Sequence, residues 1–496
     1  MRSWDASRLA AAAGARLYDD ARSGGVSAGG PGGRRPRGPG DPPGPPDSPG
    51  GPRGAGPERV LIDSREARPG DLFVGLSGER ADGGAHAGDA LSAGAWGVLV
   101  TPQHAPAAAT AAAAGRGVVL VHPQPLAGLQ ALAGAWRREL GAGGMRVVAI
   151  TGSTGKTSTK DILAALLASH VRVVASPENL NTEIGLPLAI TAAPAGTDVL
   201  VLEMAMRGSG QIAELTQIAQ PDVGVIVNVG PVHLELLGSL EAIAAAKAEL
   251  IAGLPPAGRV VVPAGEPLLA PHLRGELETI TFGPGGDVEL VEHPAGAPDS
   301  GELEIRAAGR TIILRPSFAQ AHNLSNLLAA VAAAVALEVT PAGDVTVSFS
   351  RLRGERVALP GGVVLINDCY NANPMSMAAA IDDLAQTASG RRVAVLGDML
   401  ELGPRAAGFH RAVGEHAAAR GVDVLVTVGE LAAAMAEGFG GETHAASDAQ
   451  AAAELVRGLL REGDTVLVKG SRGVGLERVA EALSAPSPLA AGRGTR

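Results

Sequence analysis

Gly152-Ser153-Thr154-Gly155-Lys156-Thr157-Ser158 is the stretch of this chain whose residue types and spacing promise chemistry. The apolar run Val147–Ile150 before it reads as a buried strand, and Asp161–Leu167 after it as a helix. A strand, a glycine-rich turn and a helix aim backbone N–H groups and a helix N-terminus at one point, which suits a phosphate. Lys156 would add a cation for the β- and γ-phosphates, and Thr157 a hydroxyl for Mg²⁺. The stretch departs from G-x-x-x-x-G-K-[ST] at Ile150, where the first glycine should stand. The alternative is a merely structural turn, but the flanking strand and helix favour a nucleotide, and ATP in particular.

Phosphoryl transfer needs more than a phosphate cradle: metal ligands at strand ends and further cations on the γ-phosphate. Glu203 follows the apolar run Val199–Leu202, and His233 follows Val223–Val227 through Asn228-Val229-Gly230-Pro231-Val232. Both fall at C-terminal strand ends, where an open α/β sheet presents its ligands. An ordinary surface carboxylate and a structural histidine are the alternatives. Lys247, in Ala244-Ala245-Ala246-Lys247-Ala248-Glu249-Leu250, reads by spacing alone as a solvated helix lysine. Asn323 and Asn326 lie three apart on one helix face. They suit either an adenine edge, where an amide offers donor and acceptor together, or a helix cap.

These residues need a scaffold. At 496 residues the chain exceeds one core, so two or three domains are expected. Only 2% of residues are aromatic, so Ala, Leu and Val must fill the cores. A net charge of −10 argues against a nucleic-acid protein that works by phosphate neutralisation. Cys369 is the single cysteine, which excludes an intrachain disulfide and fits a reducing, cytoplasmic compartment. Met1–Asp5 has no apolar signal-peptide core, and no apolar run reaches the ~20 residues that span a bilayer. Leu327–Leu337 comes nearest and reads as a buried helix.

From about Ser23 to Pro57 the chain is almost wholly Gly, Pro, Arg, Ser and Asp, a composition expected to stay disordered. A basic tether through Arg34, Arg35 and Arg37 is the other reading. Val60–Ile62 and Gly70–Leu76 begin a small α/β region that runs to a Gly141–Gly144 linker. The continuous apolar runs after it predict parallel strands covered on both faces. A third set includes Val363–Ile366, Val393–Leu396, Val424–Val428 and Thr465–Val468, with helical patterns between. The expectation is an α/β fold of three domains: 1–142, a central P-loop doubly wound domain at 143–356, and a Rossmann-like domain at 357–496.

Together, the P-loop, Glu203, His233, the A-K-A-E-L around Lys247 and H-N-x-x-N at His322 resemble the Mur ligases. These are ATP-dependent amide-forming ligases of peptidoglycan precursor synthesis. Asp368–Met377, Gly397–Gly403 and Val468–Arg472 sharpen the resemblance toward the member that joins D-alanyl-D-alanine to UDP-N-acetylmuramoyl-tripeptide. Asp63-Ser64-Arg65, Gly70–Phe73 and Asp82-Gly83 resemble the family's UDP-binding domain. The resemblance omits only the Pro/Gly stretch and the final dozen residues.

It implies that Gly152, Ser153, Thr154, Gly155, Lys156, Thr157 and Ser158 hold the ATP phosphates, while Thr157, Glu203 and His233 serve Mg²⁺. Lys247 would be carbamylated, which turns a cation into a metal ligand. Asn323 would meet adenine, Arg356 the γ-phosphate, and Asp368 the nucleotide as the last domain closes. Ser64, Arg65, Asn181, Thr182, Asn371, Asn373, Lys469, Ser471 and Arg472 would contact substrate. The implied enzyme is a monomer, neither membrane-embedded nor bound to nucleic acid. Pro263–Pro267 in place of Asn-x-Asp-Asp-Pro, Ala321 in place of glycine, and Asn367 depart from the family pattern. A sibling adding a diamino acid would carry D-N-P-R, and a GTPase N-K-x-D; neither motif is present. A folylpolyglutamate synthase would leave the first domain unexplained. A scaffold without catalysis would have little reason to keep Lys156, Thr157, Glu203, His233, Lys247 and Arg356 together.

Overall fold

In the computed structural model, residues 1–18, 56–78, 81–115, 117–177, 179–291 and 301–485 are described. The Pro/Gly stretch lies outside them except for Gly56 and Pro57, as do Arg34, Arg35 and Arg37. The chain forms two compact units.

The first unit is built from described residues of Met1–Met145, together with Glu183–Thr197 and Gln217–Gln220. Its sheet runs in the order Arg16–Leu17, Val118–Val121, Gly97–Val100, Asp71–Val74, Arg59–Leu61. All neighbours are parallel except the first pair. The helix Pro125–Ala142 extends through the first half of the expected linker. It also explains why later segments join this unit. Trp136 Nε1 donates to Ala193 O at 2.9 Å, and Arg137 Nη2 donates to Gln220 O at 2.8 Å. All three tryptophans lie in this unit, and Trp4 meets Trp136 edge to face at 5.4 Å.

The second unit holds two sheets among the described residues. One begins at the P-loop strand, Arg146–Thr151, which lies between Val199–Glu203 and Val223–Ile226 and runs parallel to both. That neighbourhood is where a doubly wound sheet opens a crevice beyond its strand ends. Register pairs Ile150 with Glu203 and Thr151 with Ile226, so the P-loop and the two candidate ligand-bearing segments leave the sheet side by side. The far side of this sheet contains an antiparallel hairpin, Leu303–Ala307 and Arg310–Pro316, which the apolar runs did not announce, and ends in the short parallel strand Gly343–Val345. The P-loop helix Lys156–Leu167 and the Ala-rich helix Ala321–Ala336 share one core with the sheet. Ala, Val and Leu fill it, since small side chains let helix and sheet approach closely.

The other sheet has the order Glu355–Leu359, Val363–Asn367, Thr465–Lys469, Arg392–Gly397, Val424–Val428, Glu442–Ala446. Only its first pair is antiparallel. The four expected strands are present and nearly all buried, as parallel strands covered on both faces must be. No described helix is long and apolar enough to cross a membrane.

Candidate active site

The P-loop turns from strand to helix at Gly155, whose φ is +76°. A Cβ there would lie 2.3 Å from Asn326 Oδ1, so glycine is required both by the left-handed backbone and by the neighbour. Lys156 Nζ folds back onto Gly152 O at 2.9 Å. The backbone N–H groups of Lys156, Thr157 and Ser158 head the helix, where the first N–H groups lack intrahelical partners. Ser153 Oγ donates to Gly230 O at 3.0 Å and accepts from Gly230 N at 2.9 Å. Thr154 N donates to Asn228 Oδ1 at 2.9 Å, and Asn228 Nδ2 returns a bond to Thr154 Oγ1 at 3.0 Å. Asn228 and Gly230 thus brace the loop. The sequence reading passed over both, although they stand in the same turn as His233.

Glu203 is 1% exposed and fully partnered. Thr157 Oγ1 donates to its Oε2 at 2.6 Å and Asn181 Nδ2 to its Oε1 at 2.9 Å. Its backbone N–H donates to Ser176 Oγ at 3.2 Å. This brings together three residues expected at the site, Thr157, Asn181 and Glu203. Thr182 follows Asn181 in the turn before the helix Gly185–Ala192.

Lys247 departs from the solvated reading. The helix Leu240–Ala252 is capped by Ser239, and its Lys247 is 2% exposed. Burial, reinforced by the Lys156 charge, holds its amine well below the ordinary lysine pKa. No hydrogen bond or ion pair reaches the Lys247 amine among the described residues. Burial also lowers Lys156; the Glu203 carboxylate opposes that shift and the Arg353 cation adds to it. His233 sits at φ +53° with Nδ1 bonded to Glu401 Oε2. Burial lowers its pKa, Glu401 raises it, and Lys156 and Lys247 lower it further. Lys156, Glu203, His233 and Lys247 therefore act on one another electrostatically around the P-loop.

Among the described residues no three His, Cys, Asp or Glu side chains form a ready metal cage. Mg²⁺ binds through one or two carboxylates, keeps several waters and completes its shell with phosphate oxygens. Glu203 and the Thr157 hydroxyl are oxygen donors of the right kind beside the phosphate cradle.

Asn323 and Asn326 lie within the helix Ala321–Ala336, whose cap is Gln320 and carries no side-chain capping bond. Asn326, Asn323 and Gln320 form a relay: Asn326 Nδ2 donates to Asn323 Oδ1 and Asn323 Nδ2 to Gln320 Oε1, each at 3.4 Å, and Asn326 ends against Gly155. The capping alternative for the two asparagines is not what forms.

Arg356 is held by side chains of the helix Pro374–Thr387. It lies on the strand Glu355–Leu359, and Nη2 donates to both Asp383 oxygens, at 2.8 and 2.9 Å, and to Thr387 Oγ1 at 2.9 Å. Arg353 is the arginine whose charge reaches Lys156. Its segment is pinned on both sides. Ser350 Oγ donates to Asp161 Oδ2 of the P-loop helix at 2.9 Å, and Tyr370 N donates to Leu352 O at 3.2 Å. Arg353 stacks over the Tyr370 ring at 4.0 Å, with Arg472 5.9 Å from the same ring. The cluster Arg351-Leu352-Arg353-Gly354-Glu355-Arg356 holds three arginines, and spacing alone does not rank them.

Several expected substrate residues serve local structure. Lys469, 2% exposed, donates to Asp368 Oδ2 at 2.7 Å and Asn371 O at 2.9 Å. Asn371 Oδ1 accepts from Ala372 N at 2.8 Å. Asn373 and Ser376 form a capping box on the helix Pro374–Thr387. Ser471 Oγ accepts from Leu400 N at 3.0 Å. In the first unit, Arg65 pairs with Asp63 at 2.6 Å beside Ser64, which opens a short 3₁₀ turn. That pairing holds the Asp63 carboxyl at about 2. Asp82 gathers Ser77, Gly84 N, Gln103 and His104; neither Gln103 nor His104 stood out in the sequence.

Residues 150–334 match the Mur ligase middle domain, and residues 352–472 the Mur ligase glutamate ligase domain. The chain is 39% identical over 470 residues to the UDP-N-acetylmuramoyl-tripeptide–D-alanyl-D-alanine ligase of Mycobacterium tuberculosis, covering 86% of this chain and 92% of the relative. It resembles the crystal structure of MurF from Acinetobacter baumannii at a TM-score of 0.75 and 29% identity, over 86% of this chain and 93% of that one. The MurF ligase of Thermotoga maritima in complex with ADP gives a TM-score of 0.71 at 30% identity, over 86% and 97% of the two chains.

Proposed function

The chain belongs to the Mur ligase family, and on that premise we propose how its residues carry out the family's chemistry. It is an ATP-dependent ligase that joins D-alanyl-D-alanine to UDP-N-acetylmuramoyl-tripeptide, giving the pentapeptide, ADP and phosphate for peptidoglycan synthesis. The observation that carries the residue-level reading is the grouping of Lys156, Glu203, His233 and Lys247 about one P-loop.

A carboxylate and an amine do not condense in water without activation. ATP phosphorylates the tripeptide's terminal carboxylate, and the dipeptide amine attacks the acyl phosphate through a tetrahedral intermediate that expels phosphate. In the first step one anion approaches another, so positive charge at the γ-phosphate lowers the barrier. Lys156 supplies it from the P-loop. We assign the second cation to Arg353 rather than Arg356, because Arg353 stacks on Tyr370 in a segment that Ser350 ties to the P-loop helix, while Arg356 is paired with Asp383.

Thr157, Glu203 and His233 would hold Mg²⁺, which supplies charge neutralisation when bound. Lys247 fits a carbamate: a buried amine kept neutral can attack CO₂, releasing a proton and leaving an anionic oxygen ligand. The functional division we keep is 1–142 for the UDP-linked substrate through Ser64 and Arg65, 143–356 for ATP and 357–496 for acceptor and closure. Asn323 would meet adenine and Asp368 the nucleotide. The enzyme works as a cytoplasmic monomer in this reading.

The test is phosphate release from ATP and Mg²⁺ with each substrate alone and with both. Release that needs both, with a pentapeptide by mass, is the expected result. Tight ATP binding without release would point to a sibling acceptor.

A further inference from the structure

The segment Gly397-Asp398-Met399-Leu400-Glu401-Leu402-Gly403 has no role in the chemistry above, yet it is tightly built. Asp398 Oδ1 accepts from Ala432 N at 2.7 Å, Met399 N donates to His410 Nε2 at 2.9 Å, and Leu400 N donates to Ser471 Oγ at 3.0 Å. Leu402 is buried. Fixed on both flanks to the C-terminal sheet, the loop turns at Glu401, which adopts φ +63°.

Glu401 makes three contacts outside its own sheet. Its Oε2 bonds His233 Nδ1, its backbone O accepts from Glu235 N at 3.2 Å, and its Oε1 lies 3.6 Å from Arg207 Nε. Arg207 follows the strand that ends in Glu203, and His233 follows the strand on the other side of the P-loop. His233 is itself at φ +53°, so two non-glycine residues in the left-handed region face each other. Such backbone persists only where surrounding contacts over-determine it, and it gathers at functional sites.

We propose that Glu401 is a positioning residue for the metal side of the active site. It accepts a hydrogen bond from His233 Nδ1–H, fixes the ring and tautomer, and leaves Nε2 as the unprotonated nitrogen. Outer partners of this kind orient histidine ligands and make them more basic. Because Glu401 belongs to the C-terminal sheet, docking of that sheet on the P-loop sheet completes the set of oriented ligands. The inference rests on His233 serving the metal.

The test is Mn²⁺ affinity, by electron paramagnetic resonance, of the enzyme–ADP complex, with ADP affinity measured in parallel as the control for folding. Glu401→Ala is expected to weaken Mn²⁺ about 10–100-fold at unchanged ADP affinity. Glu401→Gln, which keeps an acceptor oxygen, should recover most of the loss. In a His233→Ala background, Glu401→Ala should add nothing. Wild-type Mn²⁺ affinity in Glu401→Ala, with His233→Ala weakened, would overturn the positioning role alone. Wild-type affinity in His233→Ala would instead overturn the reading of His233 on which the inference stands.

Discussion

Thr157 Oγ1 donates to Glu203 Oε2 across 2.6 Å, so the first turn of the P-loop helix and the end of the neighbouring strand share a buried hydrogen bond. Asn181 closes the other oxygen. A carboxylate held this way keeps its orientation before any ligand arrives, which is how a site avoids reorganisation at the moment of reaction. Glu203→Ala would leave the Thr157 hydroxyl and the Asn181 amide unpaired, a cost of about 1–3 kcal/mol. Ligation should fall about 10²-fold or more. Thermal melting and phosphate release check the two parts, and unchanged turnover would remove Glu203 from the reaction.

The arginines at 353 and 356 separate cleanly by experiment. Arg353→Ala should cut turnover about 10²–10³-fold, the usual effect of losing one preorganised donor on developing charge. Arg356→Ala strips Asp383 of its cation, so its loss should appear as about 1–3 kcal/mol of stability. Turnover per folded molecule should stay near wild type. The opposite ranking would return the γ-phosphate to Arg356.

Lys247 predicts a divergence of stability and activity. Its folded-state pKa lies below the unfolded value, so between the two the unfolded chain binds the extra proton and stability rises with pH. In CO₂-depleted buffer, Lys247→Met should be more stable than wild type near neutral pH, with the gain shrinking toward about pH 10.5. The same variant should be inactive. Turnover in Lys247→Glu should exceed that in Lys247→Ala, because a carboxylate replaces part of a carbamate. Melting curves across pH and a bicarbonate-dependence assay test this; wild-type turnover in Lys247→Ala would end the ligand role.

Gly155 combines a left-handed φ of +76° with Asn326 Oδ1 in the space a Cβ would take. Gly155→Ala should abolish measurable ATP binding. Adding Asn326→Ala removes the collision but not the backbone strain of about 1–3 kcal/mol. Partial recovery is therefore expected by calorimetric titration, and full recovery would show that only the collision mattered.

Much of the candidate site was legible before folding because its signals are local. The P-loop, the strand-end carboxylate and the strand-end histidine each follow an apolar run, and register then sets them side by side, as Ile150 opposite Glu203 shows. The same holds for the parallel strands of the C-terminal sheet, whose continuous apolar runs can only be buried on both faces.

What the sequence by itself determined, then, is which short segments could bind phosphate and which strands had to be covered. Only the tertiary structure decided the partners. Lys247 looks solvated in its own helix, and becomes a buried, neutral-leaning amine because that helix face turns inward toward Lys156. Arg353 and Arg356 are equal in sequence, but one meets Tyr370 and the other Asp383, 17 and 27 residues onward. Glu401 reaches His233 across 168 residues of chain. Burial, pairing and charge–charge influence depend on distance in space, and no local pattern of residue types encodes that distance.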